Sequence, residues 1–165
     1  MNNIDMANDN CKTSRACDMR RTISIGLKSE KLRSAVLWEL GEKYNLTQNE
    51  IEVLIFLHNN PELNTSKDIV KYRWTSKSLV CKSVRSLLDN EYLDPAADYD
   101  DGRIMRLNMT EKCKEIAKDL AETEKKFYDF IFSDITDKEM AIIREFAERL
   151  NLRLDEQCRK SKKKA

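Results

Sequence analysis

Histidine is all but missing from this chain: His58 is the only one in 165 residues. The five cysteines, Cys11, Cys17, Cys81, Cys113 and Cys158, are odd in number and irregular in spacing, with no CxxC pair. Those two scarcities exclude a zinc finger or ribbon and a disulfide framework, and they imply reduced thiols and no bound metal. With three Gly and two Pro, the chain leans toward helix and away from a strand-rich sandwich. No apolar run approaches the roughly 20 residues of a membrane span. The polar start, Met1 to Arg21, lacks the apolar centre of a secretion signal, so the expected setting is cytoplasmic. There is no Gly-rich phosphate loop, nucleophile–base pair or acid pair in an active-site context. The expectation is a non-enzyme that needs no cofactor.

What is abundant is charge: 36% of residues are charged, yet the net charge is only +1. That balance hides a local excess. Between Thr65 and Arg85 lie six cations, Lys67, Lys71, Arg73, Lys77, Lys82 and Arg85, against the single acid Asp68. Such a cluster is an electrostatic footprint for a polyanion.

Along the chain, residues 1–22 are polar without period and read as a flexible arm. Residues 23–45 read as a first helix, with Leu32, Ala35, Val36 and Leu40 at helical spacing and Asn45 as its stop. Thr47-Gln48-Asn49-Glu50 is a capping box, and the helix it opens carries Val53, Leu54 and Leu57 and stops before Pro61. Thr65 and Asp68 form a weaker box for a short helix ending near Arg73. Thr75 or Ser76 then caps a helix ending near Asn90. Its stripe of Val80, Val84, Leu87 and Leu88 faces inward, and its opposite face holds Lys77, Ser78, Cys81, Lys82 and Arg85.

The period then changes. Leu93 to Tyr99 is extended, Asp100-Asp101-Gly102 supplies a turn, and Met105, Leu107 and Met109 alternate with Ile104, Arg106 and Asn108 with one face inward. Pro95 fits only an edge strand. Two long helices follow within residues 110–157. The first carries Cys113, Ile116, Ala117, Leu120, Phe127 and Ile131. The second, opened by the capping box Thr136-Asp137-Lys138-Glu139, carries Met140, Ile143, Phe146, Ala147, Leu150 and Leu154. These helices outlast the small lobe of residues 46–109, so their apolar faces call for another surface, most economically a second copy. Residues 158–165 form a basic tail. The fold class is mainly α: a winged helix-turn-helix with long N- and C-terminal dimerisation helices and one β-hairpin wing.

This order of elements resembles the MarR family of bacterial transcription regulators over about Ser24 to Gln157. The marks are Leu46-Thr47-Gln48 opening the second helix, Asp101-Gly102-Arg103 ending the hairpin tip, and Leu107-Asn108-Met109-Thr110-Glu111-Lys112, close to the family's "LSLTEKG". The resemblance implies a homodimer reading a palindromic operator on double-stranded DNA. It also implies a repressor released by a small phenolic or lipophilic effector or by an oxidant. It carries Arg103 to the minor groove, with Asp101 holding its side chain. The residues departing from the pattern are the acidic wing, four Asp against Arg103 and Arg106, and Cys113 in place of the family's Gly.

The expected DNA-binding residues are thus Ser76, Lys77, Ser78, Cys81, Lys82, Arg85, Asp101 and Arg103. Trp38 marks the place of an effector pocket if there is one, although packing is its plainer role. Trp74 reads as a core plug and His58 as a surface or capping residue. Cys81, Cys113 and Cys17 are the candidates for redox chemistry. Cys81 shares the cationic face, surroundings that favour a thiolate. Two alternatives stay open: a thiol-based redox-sensing regulator gated by Cys81 or Cys113, and a winged-helix protein–protein module that does not bind DNA.

Overall fold

The structure, a computed structural model, describes residues 14–73, 76–98, 101 and 103–162. Its elements are α1 (Arg15–Glu42), α2 (Gln48–Asn59), α3 (Ser66–Arg73), α4 (Lys77–Asp89), β1 (Leu93–Ala97), β2 (Met105–Met109), α5 (Glu111–Ile131) and α6 (Asp137–Lys162). They fall into two units, Met1–Phe127 and Tyr128–Ala165. No described helix is long and apolar enough to cross a membrane.

Helix α1 begins well before the expected boundary at residues 22 and 23. The Ser14 side chain accepts from the Cys17 backbone N–H at 3.2 Å and Asp18 sits in the first turn, so residues 15–22 are helical rather than a loose arm. The apolar row at Leu32 and Val36 is not the inward face of α1. Arg33, Leu37 and Gly41 are buried, whereas Leu32 and Val36 are exposed. Both rows have helical spacing, and the charge on Arg33 disguises the buried one. The stop at Asn45 is as expected. Asn45 takes φ +53°, its N–H donates to the Glu42 carbonyl at 3.2 Å, and the Leu46 N–H donates to the Gly41 carbonyl at 3.1 Å. This is a Schellman ending, in which Asn tolerates the left-handed position.

The capping box of α2 is complete. The Glu50 carboxylate accepts from the Thr47 N–H at 2.6 Å, and the Thr47 hydroxyl accepts from the Glu50 N–H at 3.4 Å. Five consecutive apolar residues of α2, Val53 to Leu57, are buried, so this helix is the centre of the first unit's core. Helix α4 packs on α2 and α3 and buries Val80, Val84 and Leu87. Each such side chain contributes about 1.5–3 kcal/mol through burial.

The hairpin pairs Leu93 with Met109 and Ala97 with Met105 in antiparallel register. Its base leans on the helices, β1 on α4 and β2 on α3. The far edge of β2 is also covered. Thr65 bridges Arg106, and the Leu107 N–H donates to the Asn64 carbonyl at 2.9 Å. Pro95 lies on β1, where a missing N–H is tolerated. Of the alternating row on β2, Leu107 is buried and Met109 half-buried, but Met105 is exposed. It pairs at the distal end of the hairpin, away from the base that leans on the helices.

In α5 the inward row of Cys113, Ile116, Ala117 and Leu120 is buried within the first unit. The second unit holds the end of α5 and all of α6, where Tyr128 and Phe132 stack at 6.2 Å. The Thr136 capping box of α6 forms as expected. Hydrogen bonds from the Thr136 hydroxyl (2.6 Å) and backbone N–H (2.9 Å) hold the Glu139 carboxyl below its ordinary range. The basic segment expected to form a tail from 158 onward is still helical to Lys162.

At Gly41, α1 runs close to α2. A Cβ there would lie 2.3 Å from Ile51 Cδ1 and 3.0 Å from its Cγ1, and Ile51 is fully buried. Gly41→Ala is expected to destabilise the protein by about 1–3 kcal/mol through overpacking, read as a lowered thermal midpoint. An unchanged midpoint would show that this junction is loose.

Candidate nucleic-acid interface

Helix α4 is built to present one face. Ser76 is its N-cap and accepts from the Leu79 N–H at 3.3 Å. With the apolar row turned into the core, Lys77, Ser78, Cys81, Lys82 and Arg85 all stand exposed on the other side. Among the described residues Arg85 pairs with Asp89, at 4.0 Å and with both side chains largely exposed, a pair of little energetic weight. The structure therefore brings the expected α4 residues together on one open surface. It gives Ser76 a capping duty besides any contact of its own. Ser83 is buried.

The wing is organised by two of its acids. One Asp98 oxygen accepts from the Asp101 N–H at 3.1 Å, and the other takes the Arg106 guanidinium at 2.5 Å. A third contact, Arg106 Nη1 to Asn64 Oδ1 at 2.8 Å, ties the hairpin to the segment before α3. Arg106 is therefore a structural cation, and Asp98 is neutralised rather than displayed. Arg103 is exposed at the hairpin end, and no ion pair of its guanidinium occurs among the described residues. Asp101 does meet Arg103, but through the backbone: its Oδ1 accepts from the Arg103 N–H at 3.0 Å. This is an Asx-type turn, which two-residue spacing favours over side-chain pairing. Asp101 fixes the chain at Arg103 and does not meet its guanidinium. Tyr99, Asp100 and Gly102 of the tip, Trp74 and Thr75 before α4, and Cys11 lie outside the described residues.

The cysteines separate by environment. Cys113 is fully buried on α5, and burial pushes its thiol from 9.0 up to about 12. It behaves as an apolar core residue, so the expectation of redox chemistry at Cys113 is corrected. A neutral thiol shut away from solvent is neither a nucleophile nor accessible to an oxidant. Cys17 is half-buried in the first turn of α1, while Cys81 is exposed on α4. His58 ends α2 half-buried, in its last turn.

Two features depart from the sequence expectations. The first is Arg33, 2% exposed, whose guanidinium meets three carboxylates. Its Nε and Nη2 bind Glu30 at 3.0 and 2.5 Å, Nη1 binds Glu124 of α5 at 2.7 Å, and Nη2 also contacts Glu52 of α2. The signal for it was an Arg at position i of the row Arg33, Leu37, Gly41. The second is a cavity of 260 Å³ bounded by α1, α2, α3 and α4. It opens beside Glu30, Ser34 and Glu52 rather than at Trp38, which does not line it. Trp38 is 41% exposed on α1.

A helix pair presenting a cationic helix face, followed by a two-stranded hairpin with an exposed Arg at its end, is a winged helix-turn-helix lobe. Residues 44–104 match the model of the MarR family. Solved structures agree over more of the chain. A MarR protein from Peptoclostridium difficile is 20% identical, with a TM-score of 0.69 over 88% of this chain and 92% of its own. A putative MarR family transcriptional regulator from Listeria monocytogenes, solved in complex with 26mer DNA, is 13% identical with a TM-score of 0.71 over 82% of this chain and 89% of its own. The transcription regulator MarR from Oenococcus oeni PSU-1 is 15% identical with a TM-score of 0.65, covering 80% and 97%. At these identities the likeness is one of fold. No curated protein matches in sequence. The winged lobe thus resembles that of the MarR family, and the fold around it is similar to that of solved MarR-type regulators.

The Cys113 thiol sets a pH dependence. Its folded pKa lies above its unfolded one, so the stability it contributes is full below pH 9.0 and is lost as pH rises toward about 12. The difference in unfolding free energy between the native chain and Cys113→Ala is therefore expected to shrink over that window. A difference constant with pH would mean that the thiol is not desolvated.

Proposed function

We propose that the protein is a homodimeric, sequence-specific DNA-binding regulator of transcription, acting in the cytoplasm as a repressor. The observation that carries this reading is the exposed cationic face of α4, set beside a hairpin that offers Arg103. Lys77, Lys82 and Arg85 suit phosphates, and Ser78 and Cys81 lie on the same face within reach of base edges. A guanidinium at the wing suits the negative potential of a narrow minor groove. The net charge of +1 is no obstacle, because phosphates respond to the local excess.

The dimer follows from uncovered apolar surface. On α1, Ile25, Leu32 and Val36 form an exposed row on the side away from Arg33 and Leu37. On α6, Ile142, Ile143, Phe146, Leu152 and Leu154 are all exposed. Large apolar residues in such numbers mark a surface that another chain covers, and a two-fold axis lets one copy cover another. Two α4 helices would then meet half-sites about 34–36 Å apart, one turn of duplex.

A second reading, the protein–protein module without DNA binding, draws on the wing, where Arg106 is engaged and Arg103 stands as the exposed cation. Salt separates the two. DNA binding through phosphates falls steeply as salt rises, whereas an apolar docking surface does not. If an oxidant gates the regulator, Cys81 is the thiol placed to carry it, and Cys81→Ser would bind DNA but ignore peroxide.

Arg103→Ala is expected to weaken operator binding by roughly 1–3 kcal/mol with the thermal midpoint unchanged, since the side chain is exposed. A gel-shift titration beside a melting curve reads both. Undiminished binding would remove the wing from the mechanism.

A further inference from the structure

Helix α4 exposes a large apolar side chain in its first turn. Leu79 is 43% exposed there, while its neighbour Val80 is buried in the core. The other exposed residues around it are Lys77, Ser78, Cys81 and Lys82. The cap fixes its position, since the Leu79 N–H donates to Ser76 Oγ at 3.3 Å. One turn on, Lys82 borders the same hollow as Leu79, a space of 200 Å³ that Thr47 and Asn49 of the α2 start and Ser86 also line. The leucine therefore stands at the edge of the cationic face, next to a side chain that suits a phosphate. A lone exposed leucine is ordinary on a protein surface. What singles this one out is its place, because a recognition helix meets base edges with its N-terminal residues. Lys77, Ser78 and Lys82 can meet phosphates, donors and acceptors. One feature of the major groove needs an apolar partner instead, the C5-methyl of thymine.

We propose that Leu79 is a specificity-determining residue, packing on the C5-methyl of one thymine in each half-site. This contact rests on the DNA-binding reading and adds to it the atom that is read. The methyl and the leucine side chain shed water against one another, and a cytosine or uracil at the same position has no methyl to offer. Burying one such group is worth about fourfold in affinity, the equivalent of about 0.8 kcal/mol. The contact is uncharged, so the salt dependence of binding stays with the cations of the same face.

The test removes the methyl and nothing else. The full-length protein selects its site from a random pool of duplexes. Each thymine of the selected site is then replaced by deoxyuridine, which keeps the base pair and its O4 acceptor. Affinity is read by gel shift at one salt concentration. The expected result is a symmetry-related pair of thymines where the change costs about fourfold in one half-site and about fifteenfold in both. Leu79→Ala should bind the thymine and deoxyuridine duplexes equally, with its thermal midpoint near that of the native chain. Leu79→Gln, polar and of similar length, is a second route to the same loss. Leu79→Met keeps an apolar side chain of similar volume and should keep the discrimination. A leucine that only supports the helix would behave otherwise: its replacement would weaken both duplexes and leave their ratio as in the native chain.

Site-specific binding by the native chain with no thymine sensitive to loss of its methyl would overturn the contact and leave the regulator reading standing. So would a selected site without thymine in its protected stretches, or native discrimination retained by Leu79→Ala or Leu79→Gln. No sequence-specific binding of DNA by the native chain would overturn both.

Discussion

The guanidinium of Arg33 is the interaction on which the first unit depends. A charge this deeply buried is costly unless it is matched, and here carboxylates from α1, α2 and α5 match it. The pairing need not stabilise the fold more than an apolar packing would. What it does is fix geometry, because one planar guanidinium has to meet carboxylates from α1, α2 and α5 at once. With Arg33 turned inward, Leu37 and Gly41 must follow it, and the row Ile25, Leu32 and Val36 must face out. One buried cation thereby joins the winged lobe to α1 and α5 and decides which side of α1 is left exposed.

The interface depends on the same frame. Helix α2 is held to α1 by the Gly41 contact and by Glu52, and it supports α4 in turn. The outward face of α4 is consequently set from behind by buried packing, while its own charged residues remain uncommitted. The wing divides its charges in a similar way. Asp98, Asp101 and Arg106 shape the hairpin, and Arg103 is left exposed at its end. Local charge, not the balance of the whole chain, is what a polyanion would meet.

Sequence made the short-range features legible. The capping boxes at Thr47, Thr65 and Thr136, the Asn45 stop, the Ser76 cap and the two sides of α4 all rest on contacts within a few residues, and all form. Most of what escaped is long-range. Arg33 reaches Glu124 across 91 positions and Arg106 reaches Asn64 across 42, and no periodic pattern encodes such pairs. The inward face of α1 is hard to find in sequence because a charged residue occupies it while an apolar row lies outside. The early start of α1 rests on one local cap among polar residues without period. At the wing, the Asp101-Gly102-Arg103 motif suggested a side-chain pair, whereas the carboxylate meets the Arg103 backbone N–H.

The central claim is that the lobe reads DNA as one half of a symmetric pair. The most direct test is selection of bound duplexes from a random pool by the full-length protein, followed by footprinting of the winner across a salt series. The account predicts a two-fold-symmetric sequence with two protected stretches about 34–36 Å apart, and affinity falling linearly in log–log terms as salt rises. No enriched sequence, or binding that ignores salt, would contradict it.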